Sequence, residues 1–144
     1  MAEQNFKNHT RMVPLFHYAT FAAIFIALII AGINFFKAVS AASGRVNAAG
    51  YLSLIIGVLL VCWFARVFAL KAQDRAIRAE ENFRHFIATG KPLDSRLHMA
   101  QIIGLRFAGD DEFVVLAKKA VDENLSQKQI KEAVTNWKAD NNRA

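Results

Sequence analysis

The residues able to do chemistry are few and lie far apart. The four histidines and the one cysteine, Cys62, offer little metal-ligand geometry. His85 and His98 have no second ligand at a spacing that zinc uses. His17 borders an apolar stretch, but a bis-histidine haem needs a facing histidine, and the second apolar stretch contains none. Asp110, Asp111 and Glu112 gather three carboxylates that would suit a hard cation. They also follow Gly109 at the start of an apolar-periodic segment, where acids complement a helix dipole, and that reading is preferred. A lone cysteine in an apolar run excludes a disulfide framework and reads as an inert thiol. Phosphate-binding loops, nucleophile elbows, zinc-protease signatures and dinucleotide fingerprints are all missing. The expectation is a non-enzymatic chain with no cofactor and no metal.

The composition shows what the rest of the chain must do. Of 144 residues, 54% are hydrophobic and 21% charged, with 18 Lys and Arg against 12 Asp and Glu. Mean hydropathy is +0.21. So small and apolar a chain cannot hide its hydrophobic residues in one soluble core. Two runs without any charged residue, Met12 to Phe36 and Val46 to Ala65, concentrate them. Each reaches the roughly 20 residues that a helix needs to cross about 30 Å of hydrocarbon. Lipid forces such segments to satisfy their own backbone hydrogen bonds, so both are predicted to be helices. The predicted fold is an all-α membrane protein, a two-span helical hairpin. Its parts are a tail at 1–14, a first span at 15–36, a short external loop at 37–46, a second span at 47–66, a cytoplasmic extension at 67–89 and a three-helix domain at 92–144.

Lys7 and Arg11 precede the first run, and Arg66, Lys71, Arg75, Arg78 and Arg84 follow the second, against only Lys37 and Arg45 between them. Positive charge marks the cytoplasmic side, so both termini are expected there, with Lys7, Arg11, Arg66, Lys71, Arg75 and Arg78 at lipid headgroups or setting topology. The basic residues alternate with acids, which argues against nucleic acid as a partner. A signal peptide is disfavoured because the first run is too long and a second one follows.

Ala19, Ala23, Ala27 and Ala31 form a small-residue stripe on the first span, and Gly50, Ser53 and Gly57 a shorter one on the second. Such stripes let helix backbones approach closely. They pack on each other within one chain, or at least one faces another copy. Neither Gly nor Pro occurs between Val58 and Thr89, so the second helix is predicted to continue past the membrane to about Ala88. Asp74–Arg78, Glu80–Arg84 and Glu81–His85 have i,i+4 spacing with the acid first. Ala65, Phe68, Ala72, Ala76, Ala79, Phe83 and Ile87 make one apolar face on the extension, and Phe68, Ala72, Ala76, Ala79 and Phe83 are its candidate assembly face.

Gly90 and Pro92 end that helix. Three short helices are expected beyond it. Asp94 would cap the first, with Leu97, Ala100, Ile103 and Phe107 apolar. Asp110 would cap the second, with Phe113, Leu116, Ala117, Ala120 and Val121 inward. Ser126 and Gln129 form a capping box for the third, with Ile130, Val134 and Trp137 buried.

Several strings also resemble a known family. They are Asn5-Phe6-Lys7-Asn8-His9, Val13-Pro14-Leu15-Phe16-His17, Ala65-Arg66-Val67-Phe68-Ala69-Leu70-Lys71-Ala72-Gln73-Asp74-Arg75 and Leu105-Arg106-Phe107-Ala108. Together they resemble a bacterial domain-of-unknown-function family of small two-span membrane proteins, over nearly the whole chain. The resemblance implies a bacterial inner membrane and carries over no activity or site. Three functions fit these readings. The foremost is a self-assembling membrane scaffold or accessory subunit. The others are an oligomeric channel or small transporter, with Asn34, Ser53 and His17 lining its path, and a partner-docking subunit of a larger membrane complex. Membrane lipid and further copies of the chain are the expected partners.

Overall fold

A computed structural model describes residues 4–6, 8 and 13–140, so Lys7, His9 and Arg11 lie outside the described residues. The described residues are helical and include no strand, apart from an isolated bridge between Ala108 and Trp137. A π-wound turn at Leu15–Thr20 leads into helix α1, Phe21–Ser40. The Thr20 hydroxyl donates to the Leu15 carbonyl at 3.3 Å, satisfying an acceptor in the wide turn. Helix α2 spans Arg45–Thr89, helix α3 Met99–Leu105, helix α4 Asp110–Asp122 and helix α5 Gln127–Ala133. Helix α1 thus runs past the expected Phe36, and α2 starts before the expected Asn47. Residues 41–44 alone join the two. Gly44 takes φ 69° and Ala42 φ 53° there, left-handed positions that let the chain leave one helix and enter the next within so few residues.

The chain divides into two compact units. One holds residues 11–68 and the other 1–10 with 69–144. In the first, the less exposed residues of α1 include Phe21, Ile24, Leu28, Ala31 and Phe35. On the first half of α2 they include Ala48, Leu52, Ile55, Gly57, Leu59 and Cys62. The other faces carry large exposed side chains, among them Phe25, Ile29, Phe36, Leu54 and Val61.

The second unit is built around a core of Leu105, Phe107, Phe113 and Ile130, all fully buried, with Ile77 contributed by α2. Helices α3 and α5 touch closely at Gly104. A Cβ there would come within 3.0 Å of Ile130 Cγ2 and 3.2 Å of the Gln127 carbonyl, so glycine sets that approach. Buried Gln101 ties three segments together. Its amide donates to the carbonyls of Ala120 (3.1 Å) and Leu125 (3.0 Å), and its oxygen accepts from the His98 N–H (2.9 Å). The Ser126 hydroxyl accepts from the Gln129 N–H, and Gln129 Oε1 accepts in return from the Ser126 N–H at 2.8 Å, so the expected capping box forms.

Three local expectations need correction. Asp94 does not cap α3. Its carboxylate takes the Arg96 guanidinium and backbone N–H, which hold its pKa down to about 2, and His98 caps the helix. Gly109, in extended conformation, caps α4 instead of Asp110. Trp137 is not on α5. The chain turns extended at Val134, and the Gly109 N–H donates to the Asn136 carbonyl (2.7 Å) while the Lys138 N–H donates to Phe107 (2.8 Å). That pairing lays Trp137 over Phe107 at 5.0 Å between ring centres. Beyond it, the Asp140 N–H donates to Gln4 Oε1 at 2.8 Å, and Asp140 also pairs with buried Arg106 at 3.1 Å.

Candidate interaction face

In its last four turns α2 has two faces with different tasks. On one, Arg84 is the fastening. Its guanidinium donates to Asp110 at 2.6 Å, to Glu81 at 3.1 Å and to the Ala108 carbonyl at 2.7 Å, and its Cζ lies 4.1 Å from the Phe113 ring centre. The expected i,i+4 partner Glu80 is not used. Glu81 is only 6% exposed, and burial pushes its carboxyl pKa upward against the opposing pull of Arg84. The expected Glu81–His85 pair does not form either. His85 donates through Nδ1 to the Lys91 carbonyl at 2.8 Å, and its ring meets Phe113 edge-on. Asn82 accepts the Leu93 N–H at 2.9 Å. These contacts bind the end of α2 to the segments that follow it.

The three acids are structural too. Asp110 faces Arg84, and Asp111 accepts from the Asn136 amide at 3.2 Å. Glu112 accepts from the Thr135 hydroxyl (2.6 Å) and from the N–H groups of Thr135 and Asn136. Burial raises the Glu112 pKa, but the hydrogen bonds from Thr135, Asn136 and Gly109 together bring it below its ordinary 4.5. A depressed native pKa contributes stability that is present above about pH 4.5 and lost as pH falls through the native value. Glu112→Gln is therefore expected to cost about 1 kcal/mol at pH 7 and to flatten the loss of stability below pH 4.5. Urea midpoints of the micelle-embedded full chain, taken from pH 7 to pH 3, would show this, and an unchanged acid slope would contradict it. Among the described residues no group of three or more His, Cys, Asp or Glu side chains could hold a metal ion.

The other face of α2 is open. Phe68, Ala72, Ala76, Ala79 and Phe83 are all exposed, as are Phe86 and Ile87. Phe83 is 64% and Ile87 69% exposed, although neither lies in a charge-free run. A groove of about 600 Å³ runs beside them, lined by Glu80, Phe83, Arg84, Ile87, Asp110 and Lys138. Lys71, Arg75 and Arg78 are exposed and Arg66 half-buried. In the first unit, Ala19 and Ala23 are exposed, Ala27 is half-buried and Ala31 buried. Gly50 and Ser53 are exposed and Gly57 half-buried, and nothing lies within 4 Å of where a Cβ on Gly50 or Gly57 would stand. Asn34 is exposed and His17 is held at Val13.

Sequence periodicity finds the open face, but it misses Arg84 as a hub, Gln101 as a tie and the Arg106–Asp140 pair. Each of those depends on groups more than 18 residues away, for which local spacing carries no signal. A family model described as a family of unknown function, DUF6526, matches residues 1–144. Neither a curated protein nor a solved structure matches the chain.

Proposed function

The chain belongs to the DUF6526 family, whose function is unknown, and on that premise we propose that it is a non-enzymatic scaffold that crosses a bacterial inner membrane twice and self-assembles. The observation that carries the proposal is the open apolar face of α2 between Phe68 and Ile87. It lies beyond Arg66, outside the segment that hydrocarbon would cover, so protein must cover it. The membrane part of the reading is supported by α1 and α2, which are long and apolar enough to cross and whose apolar windows are 11% and 0% buried. Buried helices of a soluble core would hide Phe25, Ile29, Leu54 and Val61. Lipid covers them at no such cost.

The four residues that join α1 to α2 support a hairpin. The Gln4–Asp140 hydrogen bond supports the reading that both ends of the described chain lie on one side, as an even number of crossings would place them. The basic residues after the second span support the cytoplasm as that side. The small residues on the spans supply further contact between copies. Native mass measurement in lipid nanodiscs tests the scaffold. The expected mass is a multiple of 16.1 kDa. A monomer in every lipid and detergent tried overturns self-assembly, as does a stoichiometric complex containing one copy and a different protein.

A further inference from the structure

We propose that residues 69–86 of α2 form one strand of a parallel, two-stranded coiled coil with a second copy of this chain. The proposal rests on the self-assembly reading and names the surface and geometry that serve it. Ala69, Ala72, Ala76, Ala79, Phe83 and Phe86 succeed one another at spacings of three, four, three, four and three, and every one is exposed. That is a seven-residue repeat rather than the 3.6-residue period of an isolated helix, and it keeps one seam facing a supercoiled partner. Phe83 at 64% exposure and Phe86 at 52% close the seam with rings that water solvates poorly. Ile77, Glu81 and Arg84 lie away from this seam, engaged with the helices of their own unit.

The flanking charges identify the occupant. Two copies crossing one bilayer in the same sense are related by an axis along the membrane normal, so their α2 helices run parallel. In a parallel pair, the residue just before one core position faces the residue five places later on the other strand. Arg75 precedes Ala76, and five places after it stands Glu80. Both are exposed, and neither forms an ion pair among the described residues. A second copy therefore offers Glu80 to Arg75 and Arg75 to Glu80, two opposite-charge contacts related by the axis. Copies with this register complement one another without any further partner.

The test uses the full chain in nanodiscs, in a Cys62→Ser background. Ala79→Cys places a thiol on the seam and Arg78→Cys places one about 100° around the helix. Copper-catalysed oxidation is expected to link the Ala79→Cys chains into dimers and to leave the Arg78→Cys chains unlinked. Arg75→Glu and Glu80→Arg, each alone, are expected to raise the dimer dissociation constant about tenfold, and the double reversal to return it to within about twofold of the parent. Equal cross-linking at both positions overturns the proposal, as do silent single reversals or a double variant no better than the singles. If those results accompany a mass that is still a multiple of 16.1 kDa, copies assemble through another surface and only the coiled coil fails. A 16.1 kDa monomer removes the assembly reading as well.

Discussion

Phe113→Ala is expected to destabilise the C-terminal unit by about 3–5 kcal/mol, a drop of roughly 100-fold or more in its folding equilibrium constant. Phe113 is 1% exposed and sits where three segments converge. It packs in the core with Leu105 and Ile130, its face carries the Arg84 guanidinium at 4.1 Å, and the His85 ring meets it 6.1 Å away. Truncation opens a cavity that α3 and α5 cannot fill, because their separation is already fixed by contact at Gly104. Hydrogen exchange of the micelle-embedded full chain reports the effect. Protection should fall in peptides covering residues 99–134 and stay unchanged in those covering the two apolar runs. A loss below tenfold would mean that the core can collapse around the gap.

Arg84→Met ranks next, with an expected cost of about 3–5 kcal/mol at pH 7. Methionine keeps much of the side-chain volume but leaves the buried Glu81 carboxylate without its cation and the Ala108 carbonyl without its donor. The remedy open to the variant is protonation. Burial already raises the Glu81 pKa, and removing Arg84 takes away the first of the influences that restrain it. A native pKa above the unfolded one contributes stability present below the unfolded value and lost as pH rises through the native value. The penalty of Arg84→Met should therefore shrink as the solution is acidified toward pH 4 and be largest at neutral pH. Adding Glu81→Gln should recover most of the loss at pH 7, while Glu81→Gln alone should cost little. Urea midpoints for the four proteins at the two pH values give the full cycle. A penalty that is constant with pH would show that Glu81 carries no charge when buried.

The sequence was most informative where structure depends on near neighbours. Two long apolar helices, the end of α2 at Gly90 and the Ser126–Gln129 box all follow from residues no more than a few places apart, or from unbroken composition. The open face between Phe68 and Phe83 was legible for the same reason, since one helix lays out its own stripe. Prediction failed where a long-range contact outbid the local rule. Spacing pairs Arg84 with Glu80, but Asp110 and the Ala108 carbonyl offer it charge and a carbonyl from across the fold. Spacing of three and four carries Trp137 onto a helix with Ile130 and Val134. The backbone groups of Phe107 and Gly109 draw that segment out straight instead. Asp94 has the residue type of a cap, yet the adjacent Arg96 captures it.

The hydrogen bond between Gln4 and the Asp140 amide has a consequence for how the protein is made. The acceptor leaves the ribosome 136 residues before its donor is synthesised. The opening tail must therefore wait, tethered ahead of the two long apolar helices, until nearly all of the polypeptide has emerged. A reporter fused in place of residues from Asp140 onward would leave that early segment without its late-made clasp.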